Sequence, residues 1–250
     1  MSPGDLGQVL KPFVFLDLFD NGGRPFPEFG MHPHSGLATL TYVAEGSVSY
    51  RDTNGASGML HAGGVEWMRA GKGVWHSGGP GEAGTTRGFQ LWVALPPELE
   101  LGPSESIYQS AREILRAGPA RVLLGEYQGV LSPIVAPSPI NYLAVSLRPG
   151  RRWRYEPPEN HSILWLAAGK GRIRAPEVIE HGEIVVFEYG NQGVEFVAEE
   201  ESEFVIGSAM PHPHNLVLGY YSVHTSEGAL AQGEAHIGRL REELVQSGRF

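Results

Sequence analysis

The sequence predicts a mainly β protein built as a pair of small antiparallel barrels or sandwiches, and three observations carry that expectation. The 34 glycines and 19 prolines of the 250 residues are spread between short apolar segments, as turn punctuation would be. The segments themselves, at 39–44, 47–51, 65–68, 88–95, 142–147, 162–166, 182–187 and 204–206, are short and rich in Val, Ile, Tyr and Trp, with Gly, Pro, Asn or Asp around them. Helix signals are confined to 104–117 and 229–246, and no βαβ alternation of a parallel sheet is present. A single large sandwich is the competing layout.

In chain order, 39–44 and 47–51 are joined at the Glu45-Gly46 turn, and 65–68 leads into the glycine-rich AGKG at 70–73. The strand at 88–95 stops at Pro96. The polar stretch between Pro96 and Pro119 reads as a linker whose helix opens at Ser104. A similar layout then repeats, with 162–166 running into a turn at Gly169 and Gly171. The boundary is expected near residue 120, giving domains 1–120 and 121–250, the second ending in the helix at 229–246.

Composition removes several classes of function. With 19 Lys+Arg against 28 Asp+Glu, a net charge of -9 argues against nucleic-acid binding as the main activity. The Arg148, Arg151, Arg152 and Arg154 run, interleaved with Trp153 and Tyr155, reads as a solvated hairpin edge. No cysteine is present, so disulfides, thiolate metal sites and a cysteine nucleophile are absent. No apolar run reaches the roughly 18 residues of a membrane span, and the first residues lack the pattern of a signal peptide. The expectation is a cytoplasmic protein with no membrane partner. GKG at 71–73 lacks the spacing of a phosphate-binding loop.

Chemistry concentrates in the histidines. His32 and His34 are two residues apart beside a strand-like segment, so their side chains share a face and can converge on one ion. His76, following a glycine-rich turn, is the candidate third donor. The bland alternative is an exposed HPH turn and an unrelated histidine. A second HPH at His212 to His214 has no third histidine at matching spacing and reads as a proline-stiffened loop. His61, His161, His181, His224 and His236 read as surface or hydrogen-bonded residues, and Trp67, Trp75 and Trp92 as core, with a pocket-lining role open to some of them.

The runs HPHSGLATLTYVAEGSVSYRD (32–52), GVEWMRAGKGVWHSGGP (64–80) and FQLWVALP (89–96) resemble the N-terminal barrel of the pirin family, within the cupin superfamily. PFVFLDLFD (12–20), RVLLGEYQGVLSPI (121–134) and NYLAVSLRPG (141–150) extend the likeness over nearly the whole chain. The resemblance implies a bicupin: two antiparallel β-barrels, a C-terminal helix, and one metal held in the first barrel by His32, His34 and His76. It implies Fe(II) as the usual ion, with Zn, Ni, Mn or Cu as alternatives. It also implies a quercetin 2,3-dioxygenase activity in some members and a transcription-cofactor role in others.

The sequence departs from the family at the carboxylate. The pattern puts a glutamate two residues after the third histidine, where this chain has Gly78, and the general cupin glutamate position corresponds to Ala38. Three neutral imidazoles leave a divalent ion at about +2, which favours an anionic ligand at its open positions. The group that would accept a proton from an enol or phenol is missing, so no catalytic residue is assigned. Glu28 and Glu66 are the nearest carboxylates in sequence, Glu66 is expected to face solvent as charged strand residues do, and Glu45 reads as a surface turn; none joins the metal set. The expected function is oxygen-dependent oxidation of a small planar aromatic or enol substrate with dioxygen as co-substrate. The alternative is a metal- and redox-dependent regulatory protein that binds a protein partner without turnover.

Overall fold

A computed structural model describes residues 1–25, 27–82 and 84–248. The chain forms two compact units, one of residues 1–111 and 212–250, the other of 112–211. In the first, a short helix α1 (Leu6–Val9) is followed by strands β1 (Phe13–Asp20), β2 (Phe29–His34), β3 (Leu37–Glu45), β4 (Ser47–Asp52), β5 (Ser57–His61), β6 (Val65–Arg69), β7 (Val74–Pro80), β8 (Arg87–Ala94) and β9 (Glu105–Gln109). They make two antiparallel sheets, ordered β1-β8-β3-β6-β9 and β2-β7-β4-β5. The central β3 reads apolar almost throughout because it is flanked by β8 and β6, and Leu37, Leu40 and Val43 are fully buried. Gly46 turns β3 into β4 at φ +75°, where an added Cβ would lie 2.3 Å from the Thr85 carbonyl, so only glycine fits.

The second unit contains β10 (Arg116–Ala117), β11 (Ala120–Leu124), β12 (Glu126–Tyr127), β13 (Val130–Leu131), β14 (Ile140–Leu147), β15 (Arg152–Tyr155), β16 (Ile163–Lys170), β17 (Ile173–Ala175), β18 (Glu177–Ile179), β19 (Ile184–Val186), β20 (Val194–Ala198) and β21 (Ser202–Ala209). A six-stranded sheet, β10-β11-β14-β21-β16-β19, and a four-stranded one, β15-β20-β17-β18, enclose a core of Trp153, Tyr155, Phe196 and Phe204. Burial of each such side chain contributes about 1.5–3 kcal/mol. Arg152 and Arg154 alternate with buried Trp153 and Tyr155 and pair with Glu195 and Glu156, which is the solvated strand expected from the sequence.

Two expectations are corrected. The linker helix is not formed: Ser104 Oγ donates to Asn54 Oδ1 at 2.7 Å instead of capping, and 105–109 pairs as β9 along the edge of β6. Tertiary pairing overrides a helix-compatible local sequence, and Tyr108 is held by stacking on Tyr50 at 3.7 Å. The tail, placed with the second half by the sequence reading, packs instead in the first unit. There β22 (Val217–Gly219) and β23 (Ser222–His224) form a hairpin, and α2 (Glu227–Gln246) starts with Ser226 Oγ accepting from Ala229 N. Its buried Ala229, Gly233 and Ile237 recur every four residues, making the face laid against β7 and the hairpin.

Buried polar contacts lock the tail in place. Trp75 Nε1 donates to Ile237 O at 2.8 Å, and buried His224 bridges Ser35 Oγ (2.9 Å) and Glu100 Oε2 (3.2 Å). Trp75→Phe removes the indole N–H that ties β7 to α2 and part of a buried ring, so it is expected to lower stability by about 1–3 kcal/mol. A denaturant midpoint reduced at unchanged m-value is the result that checks this.

Candidate metal centre

Strand β2 is the edge of its sheet, where Pro33 can sit without breaking a ladder, and proline holds His32 extended. The two-residue period therefore puts both imidazoles on one face, ring centroids 5.2 Å apart. Pairing with β7 sets His76 directly opposite His32, at 4.3 Å between centroids and 5.0 Å from His34. One nitrogen of each of the three lies within 4.8 Å of the others, and this is the metal-competent cluster found among the described residues.

Two of the outer nitrogens are held by hydrogen bonds, and the third faces a carboxylate. His32 Nδ1 donates to Gly30 O at 2.8 Å and His34 Nδ1 to Tyr221 O at 3.1 Å, since a carbonyl can only accept. His76 Nδ1 lies 3.6 Å from Glu66 Oε1. Fixing Nδ1 in this way turns Nε2 toward a ligand, and Nε2 of both His34 and His76 is buried without a partner. Two orphaned buried nitrogens are costly unless something electrophilic meets them. Burial, with the charge of His76 second, lowers the His32 pKa to about 4, and burial lowers that of His34 as well. His32 and His34 are thus neutral near pH 7, the form that ligates a metal. The donor set fits a borderline divalent ion.

His32 and His76 line a cavity of about 510 Å³ between the two sheets of this unit, with Phe15, Phe29, Tyr50, Trp92 and Tyr221 among its walls, and His34 is fully buried beside them. The opposing sheet contributes a polar row. Register aligns Asp17 with Gln90, Gln90 with Thr41, Thr41 with Glu66 and Glu66 with Tyr108, crossing all five strands. Thr41 Oγ1 donates to Glu66 Oε2 at 3.0 Å, and the Tyr108 hydroxyl donates to Asp52 Oδ2 at 2.9 Å while standing 3.4 Å from Glu66 Oε1. Burial first, and then the charges of Glu66 and Asp52, push the Tyr108 pKa far up, so its hydroxyl stays protonated.

Other residues singled out in the sequence separate clearly. Glu66 is only 6% exposed and faces the cavity, which corrects the expectation that it points to solvent. Glu28 also lines the cavity, while Glu45 is a half-exposed partner of Arg87. Gly78 lies on the cavity wall with room for a side chain, an added Cβ having Ser49 O at 3.5 Å as its nearest neighbour. Ala38 is fully buried on β3 and is not among the lining residues. Of the three tryptophans, Trp92 lines the cavity, whereas Trp67 and Trp75 are core. His212 and His214 face one another at 5.3 Å with no third donor among the described residues.

Tyr221 escaped the sequence reading because it arrives from the tail hairpin. Its positive φ of 51° turns its carbonyl to His34.

A family model described as Pirin matches residues 2–93, the span that holds all three histidines. A pirin-like protein of Caulobacter vibrioides is 29% identical, the match covering 97% of this chain and 89% of the relative. A pirin-like protein of Arabidopsis thaliana is 36% identical, over 74% of this chain and 70% of the relative. Among solved structures, a quercetin 2,3-dioxygenase from Acinetobacter baumannii superposes with a TM-score of 0.87 at 25% identity, covering 96% of this chain and 88% of that one. The two-unit β architecture is accordingly that of the bicupins, and the chain belongs to the pirin family.

Proposed function

We propose that His32, His34 and His76 hold one divalent ion, iron in the active protein, and that the cavity oxidises a small planar enol or phenol with dioxygen. The observation that carries this is the pair of buried, unpartnered Nε2 atoms of His34 and His76, clustered with His32 where His32 and His76 line an aromatic-walled cavity. A bound divalent metal would supply Lewis acidity, lowering the pKa of a hydroxyl donated to it, and open positions for substrate and dioxygen. The chain's own residues do the rest. Phe15, Phe29 and Trp92 suit the faces of a flat ring system and exclude water from it. The polar row of Gln90, Thr41 and Glu66 offers hydrogen bonds to peripheral hydroxyls, and Glu66 is the buried carboxylate placed to accept a substrate proton. The quercetin 2,3-dioxygenase likeness supports this substrate class.

A second reading, metal-dependent binding of a protein partner without turnover, is favoured by one feature. The hairpin that touches His34 also exposes Leu218 at 41% and Tyr220 at 63%, so one element joins the site to an apolar surface that a partner could read.

Untagged protein from metal-defined medium is expected to carry near-stoichiometric iron, and the His32→Ala, His34→Ala, His76→Ala triple variant none. Oxygen uptake on adding a flavonol follows in the first and not the second. Metal absent from both, and not regained on anaerobic iron addition, overturns the proposal. Metal present with redox-dependent partner capture and no turnover selects the second reading.

A further inference from the structure

The second unit holds a cavity of its own, about 690 Å³, whose lining includes Tyr127, Leu131, Ser138, Ile140, Asn141 and His161. Its volume is in the range of small-molecule sites. Behind its wall a line of buried polar groups runs in one direction. The Glu126 amide donates to Asn141 Oδ1 at 3.0 Å, which fixes the side-chain amide so that Nδ2 donates to the Tyr155 hydroxyl at 3.2 Å. Tyr155 and Ser208 are joined at 2.7 Å, and Ser208 Oγ and His161 Nδ1 at 2.8 Å. Each hydroxyl has a single proton. The assignment that spends both is Tyr155 donating to Ser208 and Ser208 donating to His161 Nδ1.

His161 must then carry its own proton on Nε2, on the ring edge away from Ser208. The one side-chain hydrogen bond His161 makes among the described residues is through Nδ1, and the residue lines the cavity while only 3% exposed. Burial lowers the His161 pKa to about 4, so the ring is neutral under ordinary conditions and this tautomer is the one displayed. Ser138 Oγ, on the same wall, is buried without a partner. Four residues in Asn141, Tyr155, Ser208 and His161, all less than 5% exposed or fully buried, are thus spent on presenting one donor. Stability alone does not call for that, because apolar residues of similar shape would fill the space at lower desolvation cost.

We propose that this cavity is a second small-molecule site, independent of the histidine cluster, that takes a neutral, largely apolar ligand through a carbonyl or ether oxygen accepting from His161 Nε2–H. Charge selects against anions: Arg154 on the wall is already paired with Glu156, and Glu126 is a further carboxylate there. Leu131, Ile140 and the ring of Tyr127 suit the apolar body.

Chromone, a neutral bicyclic ketone with no hydroxyl to chelate a metal, is the probe. Titrated into protein carrying ¹⁵N-histidine, it is expected to move the His161 Nε2 resonance saturably and to leave those of His32, His34 and His76 in place. His161→Phe, which keeps the ring volume, should weaken binding at least 10-fold. If that variant fails to fold, Leu131→Arg at the exposed rim and Ser138→Ala carry the test, with expected losses of about 10-fold and a few-fold. No saturable shift up to the solubility limit, a shift confined to the His32, His34 and His76 resonances, or unchanged affinity in folded variants overturns the proposal. Protonation of His161 at Nδ1 in the free protein does so as well.

Discussion

Glu66→Gln is expected to weaken retention of a divalent ion by roughly 10- to 100-fold, the usual cost of losing the outer partner of a metal-ligating histidine. Glu66 Oε1 stands 3.6 Å from His76 Nδ1 and its other oxygen accepts from Thr41, so the carboxylate is pinned where it orients the imidazole. It also places a negative charge beside a centre whose three protein donors are neutral, with little water to screen it. Gly78→Glu should act in the opposite direction. Gly78 follows His76 by two residues on β7, lines the same cavity, and has 3.5 Å of clearance for a Cβ. A glutamate there returns the carboxylate of the family pattern and should tighten binding by about 10-fold or more. In the double variant the new carboxylate should recover most of what Glu66→Gln loses. Zinc affinity measured by chelator competition reads all three without recourse to activity. Equal affinities for wild type and Glu66→Gln would show that the buried carboxylate has no hold on the site.

The histidine cluster was legible because its geometry is local. An HPH run fixes two rings by the period of a strand, and only His76 needed a long-range pairing, which the family likeness to GVWHSGGP supplied. Most short strands were legible for the same reason, since β-branched runs such as those in β3, β14 and β21 suit little else. What stayed hidden depends on register between distant strands. Glu66 sits between Val65 and Trp67 in a strand buried on both faces, so alternation could not say which way it points; its match with Thr41 and Tyr108 decides that. The tail could not be placed because its anchors, Trp75 to Ile237 and Ser35 to His224, join residues more than 150 apart. The charged and apolar residues after Ser104 suit a helix locally, and the edge of β6 has the stronger claim on them.

Acid should destabilise the metal-free protein well before its carboxylates titrate. His161 in the second unit and His212 in the first have pKa values lowered to about 4, in each case by burial first. Above pH 6.5 neither folded nor unfolded chain is protonated at these groups, and they contribute nothing to the balance. Between 6.5 and 4 the unfolded chain takes up a proton that the folded one refuses, so the free energy of unfolding falls as pH falls. The loss approaches about 3 kcal/mol for each group at the lower limit. His32, lowered to about 4 by burial and by His76, adds in the same sense while no metal is bound, and His34 follows in direction. Set against a typical stability of about 5–15 kcal/mol, these terms can offset most of the margin. Both units carry such a histidine, so both should move. Urea midpoints measured from pH 7 to 4.5 should decline steadily, and His161→Gln should flatten the part that belongs to the second unit. Metal raises the starting midpoint, because it binds the folded imidazoles only, and steepens the fall, because protons then compete with it for the same Nε2 atoms. Midpoints independent of pH over this window in the metal-free protein would mean that the buried imidazoles accept protons as readily as exposed ones do.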